Sequence, residues 1–195
     1  MAKPDSLFRR ATKADALALA EFVNHAGEGL PIYLWARMAE RGETAWDVGR
    51  RRAEREEGSF SYRNATIVEH DGQCAGCLIG YEIPDQPTPI AADTPGMFGP
   101  LLELENLAAD TWYINVLAVS PQFRGRGLGT KLLDLAHKTA RSLKKRGVSI
   151  ITSDANTGAR RLYERAGYGE IAIRPMVKEN WENTGQNWVL LIKNL

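Results

Sequence analysis

Gln122-Phe123-Arg124-Gly125-Arg126-Gly127-Leu128-Gly129-Thr130 is the stretch whose residue types are best suited to hold a ligand. Three glycines alternate with other residues just where an apolar repeat begins. Leu128, Leu132, Leu135, Ala136, Thr139, Ala140 and Leu143 recur at three- and four-residue steps, the period of one helix face. A helix start leaves its first N–H groups without intrahelical partners, and the missing Cβ atoms at Gly125, Gly127 and Gly129 let a ligand approach that backbone closely. The natural guest is an anion, phosphate above all. Two familiar nucleotide sites are excluded by spacing. A Walker A loop needs G-x-x-x-x-G-K-[ST], whereas Lys131 here follows Thr130 and precedes Leu132. A dinucleotide fingerprint needs G-x-G-x-x-G and a later acidic residue, whereas this loop runs G-x-G-x-G. A glycine-rich turn with two arginines is also what a plain solvated connection looks like, so the flanking elements decide.

Those elements are well marked. Tyr113 to Val119 is dense in β-branched, aromatic and aliphatic residues and reads as a strand, stopped by Ser120-Pro121 because proline has no N–H for a ladder. The helix after the loop closes with Lys144, Lys145 and Arg146 at its negative end and Gly147 at C′. Val148 to Ser153 is a strand, and Asp154-Ala155-Asn156 supplies cap residues for a helix from Thr157 to Ala166 that ends in Ala166-Gly167-Tyr168. Asn156 and Tyr163 lie about two turns apart and so project from nearly the same face. Gly169 to Val177 and Asn187 to Lys193 read as closing strands.

Upstream, Leu7 to Thr12 reads as a short strand, and Thr12 with Asp15 resembles a capping box that opens an alanine-rich helix through Val23. Gly27, Gly29 and Pro31 break that helix; Ile32 to Glu40 and Ala45 to Glu57 suit two more. Ala65 to His70 and Gln73 to Ile83 flank Asp71-Gly72, a hairpin signal. Pro84 to Pro100 is a proline-rich irregular excursion, and Leu101 to Leu107 suits either a short helix or an edge strand. Cys74 and Cys77 form a C-x-x-C inside the strand-like QCAGCLIGYEI. Residues three apart on a strand point to opposite faces, and no second pair follows, so both read as structural rather than redox-active or zinc-binding.

Gln122-x-x-Gly125-x-Gly127 resembles motif A of the GNAT superfamily of N-acetyltransferases. Asn156, Ala159, Tyr163 and the Ala-Gly-Tyr ending resemble its motif B, N-x-x-A-x-x-x-Y-x-x-x-G-[FY]. The opening R-x-A-T-x-x-D-A, from Arg9 to Ala16, is similar to the first strand and helix of many members. The resemblance is tight from Thr111 to Tyr168 and loose elsewhere. It implies a mixed, mainly antiparallel α/β sheet flanked by helices, with a splayed parallel strand pair, as one N-acetyltransferase domain over residues 1–195. It also implies acetyl-CoA as co-substrate. The diphosphate would lie on Gln122, Arg124, Gly125, Arg126, Gly127, Gly129 and Thr130, and the pantetheine arm would pair with backbone at Leu117, Ala118 and Val119. Asn156 would orient that arm, a backbone N–H near Leu117 would stabilise the oxyanion, and Tyr163 would donate to the sulfur.

Family members often carry an acidic residue in the central strand, but Trp112, Tyr113 and Asn115 stand there in this chain. Glu28 is the base candidate from the segment that roofs the acceptor pocket in the family, with Glu103 and Glu105 as others. Tyr33 and Trp35 are candidate acceptor contacts, Trp35 being better suited to packing. With 25 basic and 24 acidic residues the formal charge is +1, which gives no field for nucleic acid or an anionic membrane. Arg50-Arg51-Arg52 alternates with glutamates like a solvated helix face. The expected partner is a small-molecule or amino-acid-like amine acceptor, with no nucleic acid, no membrane and no metal, a homodimer as the assembly to test, and a cytoplasmic location. A coenzyme sensor that has lost catalysis is the alternative. A nucleic-acid binder using Arg124, Arg126 and Lys144 to Arg146 is a third reading, disfavoured by the balanced charge.

Overall fold

Asp71 and Gly72 take φ of 52° and 72°, the left-handed pair that a two-residue hairpin turn requires, and they join β2 (Ala65–His70) to β3 (Gln73–Glu82). The computed structural model describes residues 6–195. Its other strands are β1 (Ser6–Arg10), β4 (Thr111–Val119), β5 (Gly147–Ser153), β6 (Gly169–Pro175) and β7 (Asn187–Asn194). Its helices are α1 (Ala16–Ala26), α2 (Leu30–Met38), α3 (Ala45–Ala53), α4 (Gly99–Leu107), α5 (Leu128–Ser142) and α6 (Thr157–Arg165). The strands form one seven-stranded sheet in the order β1-β2-β3-β4-β5-β7-β6. The pairs β1–β2, β2–β3, β5–β7 and β6–β7 are antiparallel. The pair β4–β5 is parallel from Thr111↔Gly147 to Ile114↔Ile150, and β4 runs on to Val119 outside that ladder.

The described chain forms two compact units: the residues up to Gly80 with Asn115–Leu132, and Tyr81–Ile114 with Leu133–Leu195. In the first, α1, α2 and α3 pack on one another, and Leu19, Val48, Ile67 and Ile79 lose all exposure. Trp35 belongs to this core. It stacks on Phe60 at 5.9 Å and meets Trp46 edge-on at 6.2 Å, so packing rather than acceptor contact accounts for it. At the start of α1 the Asp15 carboxylate accepts from the Thr12 N–H at 2.8 Å and pairs with Arg9 at 2.8 Å. The Arg9 guanidinium and these hydrogen bonds hold the Asp15 pKa down at about 2. In the second unit α4 packs against β5, β6 and β7. There the Thr111 hydroxyl donates to the Ala108 carbonyl and meets Ser149 Oγ, both at 2.6 Å, which satisfies two buried polar groups across the parallel ladder.

Two helix boundaries differ from the sequence expectation for a plain physical reason, and one stretch left between helix and strand is resolved. α3 stops at Ala53 instead of reaching Glu57. Arg50, Arg51 and Arg52 suit the negative end of a helix, whereas Glu54, Glu56 and Glu57 would be repelled there. Glu56 pairs instead with Lys13 and Arg63. α2 begins two residues earlier than Ile32, at Leu30, which puts Pro31 in the first turn where a missing N–H is harmless. Leu101–Leu107 is helical, within α4, for the same reason at Pro100. No helix among the described residues is long and apolar enough to cross a membrane.

Gly49 on α3 lies under Trp35, where a Cβ would stand 2.5 Å from the ring. Gly49→Ala should therefore lower the unfolding free energy by about 1–3 kcal/mol in a urea titration, although alanine is the better helix former by about 1 kcal/mol. Unchanged or higher stability would contradict this packing.

Candidate functional site

The glycine- and arginine-rich loop lies between β4 and α5. After Val119 the chain makes one 3-10 turn, Pro121–Phe123, and buries Phe123. Gly125 and Gly127 then take φ of 72° and 77°, and nothing stands within 4 Å of where either Cβ would be. Left-handed backbone with open space beside it is what a ligand-facing loop needs and what an L side chain would strain. Gly129 falls in the first turn of α5, whose N–H groups at Leu128, Gly129 and Thr130 precede the first helical acceptor. Gln122, Arg124, Arg126 and Thr130 are exposed.

Both arginines have partners that sequence reading did not foresee. Arg124 contacts the His25 imidazole and reaches the Val119 carbonyl. Arg126 meets His70 Nε2 at 3.1 Å and lies over the Phe123 ring at 5.8 Å. His70 Nε2 also lies 3.7 Å from the Asp71 carboxylate, and its Nδ1 is a buried atom without a partner among the described residues. On β4, Val116 and Ala118 point into the core of their unit, while Asn115, Leu117 and Val119 alternate with them and stay partly exposed.

The motif B residues lie in the second unit. Asn156 is the N-cap of α6, its Oδ1 accepting from the Ala159 N–H at 3.2 Å. Its amide NH2 has no partner among the described residues. Tyr163 is buried on α6, and burial pushes its phenol well above the usual value. Its ring lies 5.8 Å from that of Tyr168, whose hydroxyl is 3.1 Å from His137 Nε2. His137, a polar residue hidden on the buried face of α5, was missed because one histidine in an apolar stripe carries no signal of its own.

Glu105 on α4 has the most perturbed carboxyl group of the unit. Burial pushes its pKa up to about 7. Around it are neutral phenols, Tyr81 of β3 and Tyr113 of β4, whose rings are 5.4 Å apart; the pKa of each is raised by burial and by the Glu105 charge. The Tyr163 charge also raises the Tyr113 pKa. Glu103, two residues earlier on α4 and so on another face, is exposed and pairs with Arg174 of β6 at 2.6 Å. Glu28 takes φ of 51° in the turn between α1 and α2, in the first unit, and is partly exposed. Tyr33 accepts from Arg37 at 2.8 Å. Cys77 is fully buried and Cys74 half-buried, both free, with burial pushing both thiols up; neither has thiolate character at neutral pH. Among the described residues no group of three or more His, Cys, Asp or Glu side chains is placed to hold a metal ion.

The sequence profile of the Acetyltransferase (GNAT) family matches residues 30–168. The chain belongs to that family. It is 35% identical over 106 residues to a mycothiol acetyltransferase of Thermobispora bispora, a match that takes in 53% of this chain and 30% of that protein. The matched part of this GNAT chain therefore spans well under half the length of that curated relative. Among solved structures, a crystal structure of an acetyltransferase is similar at a TM-score of 0.64 and 22% identity, over 96% of this chain and 98% of that one. An N-acetyltransferase from Staphylococcus aureus Mu50 is similar at a TM-score of 0.61 and 18% identity, over 96% and 100%. At these identities the likeness shows the GNAT fold.

The raised Glu105 pKa has a consequence for stability. An unfolded glutamate titrates near about pH 4.3, so from there up to about pH 7 the folded chain keeps a proton that the unfolded chain has lost. Stability must fall as pH rises through that window and level off above it. Glu105→Gln, which mimics the neutral acid, should match the wild type near pH 4 and exceed it at pH 8 by up to about 3 kcal/mol in urea denaturation. Equal stabilities at both pH values would mean the carboxyl group is solvated.

Proposed function

We propose that the chain is a single acetyl-CoA-dependent N-acetyltransferase domain over residues 1–195, transferring an acetyl group to a primary amine of a small-molecule acceptor by direct attack on the thioester. The observation that carries this reading is the left-handed backbone at Gly125 and Gly127, open on its outer side and leading into α5. Such a helix mouth suits the coenzyme's diphosphate, with Arg124 and Arg126 adding charge-assisted donors. The pantetheine amides pair with β4 backbone at Leu117, Ala118 and Val119, beyond the end of the parallel ladder. The Asn156 amide NH2, not used by its capping role, orients the arm.

The chemistry follows from what a thioester demands of an amine. The ammonium gives one proton to a carboxylate, and the freed lone pair forms the C–N bond at the thioester carbonyl. A backbone N–H near Leu117 stabilises the oxyanion. The C–S bond then breaks and the sulfur takes a proton from Tyr163, which regains one from the nitrogen as the amide forms. The products are the amide, the thiol and one released proton. A free tyrosine near pKa about 10 donates uphill to a thiolate near about 8.5. Burial raises Tyr163 further, and it raises a thiolate departing beside it in the same direction. Tyr163 therefore acts by alignment more than by driving force. Glu28 on the turn before α2 and Glu105 on α4 are the carboxylates to weigh for the first proton; Glu103 is held by Arg174. The free thiols of Cys74 and Cys77 suit a reducing, cytoplasmic compartment. Ile171 and Ile173, exposed on the terminal strand β6, suit self-association as a homodimer.

The test combines calorimetry with acetyl-CoA and thiol release over a panel of amines. Tyr163→Phe should lower turnover by roughly tenfold to a thousandfold while leaving acetyl-CoA affinity nearly unchanged. Gly127→Val, which forces a β-branched residue into left-handed backbone, should abolish acetyl-CoA binding. Binding without transfer to any amine would favour the coenzyme sensor over the enzyme, and unchanged turnover in Tyr163→Phe would remove Tyr163 from the mechanism.

A further inference from the structure

A cavity of about 340 Å³ lies between the proline-rich loop and α4, within the second unit. That volume falls in the range of small-molecule sites. Leu102, Glu105 and Asn106 line it from α4 because residues three and four apart share a helix face. Ile83, Pro87 and Ile90 give the opposite wall an apolar surface. The loop is irregular but fastened. Asn106 accepts from the Thr88 N–H and donates to the Thr88 carbonyl, both at 2.9 Å. The loop's start is pinned where the Ile83 N–H donates to Thr111 at 2.9 Å and the Asp110 N–H donates to Pro84 at 3.1 Å.

Glu105 is the one charged side chain among the described residues that line this cavity. Among the described residues no donor reaches its carboxylate and no cation pairs with it. A half-buried carboxyl group left without a partner is costly, and a protein keeps one where a ligand supplies the missing charge. The remaining lining is apolar or uncharged, so nothing there would receive a second anion. The charges of Glu105 and of Tyr163, the proposed donor to sulfur, both raise the pKa of Tyr113.

We propose that this cavity is the acceptor pocket, that Glu105 binds the acceptor's primary ammonium and takes its first proton, and that acceptors are amines on apolar, uncharged bodies rather than amino acids. The inference rests on the acetyltransferase reading and deepens it. Glu105 stands in for the acidic residue that the central strand lacks. An α-carboxylate beside the reacting nitrogen would meet Glu105 with no cation to offset it, so phenethylamine and phenylalanine, which differ by that one group, separate the cases.

The experiment measures thiol release from acetyl-CoA by the full chain with phenethylamine or phenylalanine, together with acetyl-CoA affinity by calorimetry. Wild type should prefer phenethylamine by roughly 100-fold in kcat/KM. Glu105→Gln should lower kcat/KM for phenethylamine by roughly 100-fold or more, with acetyl-CoA affinity unchanged. Leu102→Trp, which fills the cavity while keeping Glu105 itself, should raise KM for phenethylamine roughly tenfold or more. Equal or better use of phenylalanine overturns the proposal, as does a phenethylamine rate within threefold of wild type in both variants. Wild type that binds acetyl-CoA yet acetylates neither amine overturns it too. Failure to bind acetyl-CoA at all would instead bring down the acetyltransferase reading beneath it.

Discussion

The unpaired N–H groups at the start of α5 are the constraint on which the rest of the account depends. A helix cannot satisfy its own first turn, and this one is entered through two residues whose φ values of 72° and 77° only glycine adopts without strain. A capping side chain would have closed that end. The residue before α5 is Gly127, which has no side chain to cap it, and the two arginines of the loop are themselves held, Arg126 by His70 and Phe123, Arg124 by His25. Ordering those side chains before a ligand arrives reduces the entropy lost on binding. In the proposed reading the anion site is a property of backbone first and of charge second, which would let a chain of formal charge +1 hold a polyanion.

The second unit meets the opposite demand. Proton transfer needs groups whose charge is expensive, and expense here comes from burial. Tyr163, Tyr168, Tyr81 and Tyr113 have phenols raised by desolvation, and Glu105 is brought to about 7 by the same cause. A neutral donor and a base poised near neutrality are the pair that aminolysis of a thioester requires. The α4 helix and the loop before it are what bring a carboxyl group into that setting. Asn106, clasping Thr88 through both ends of its amide, fastens that loop to α4.

Much of this was legible in the sequence because the deciding interactions are local. The Asp71-Gly72 turn, the caps at Thr12 and Asn156, and the glycine loop before α5 are each set within a few residues. The α3 terminus was misjudged because periodicity alone ran past the point where the helix dipole changes which charges are welcome. The run at Leu101–Leu107 stayed ambiguous because its leucines fit both periods, and Pro100 settled it. What could not be read is contact between distant positions. His25 and Arg124 are 99 positions apart, and His70 and Arg126 are 56 apart. Glu105 was one of three acidic candidates until the loop was seen to enclose it, because a carboxylate's pKa depends on surroundings that spacing does not record.

The most direct measurement of the central claim is amide hydrogen exchange across Gly125–Thr130 with and without saturating coenzyme A. The account predicts that the coenzyme slows exchange at those backbone N–H groups more than anywhere else in its unit, since they donate to the diphosphate. Binding that leaves their exchange unchanged, while slowing it at other segments, would contradict it.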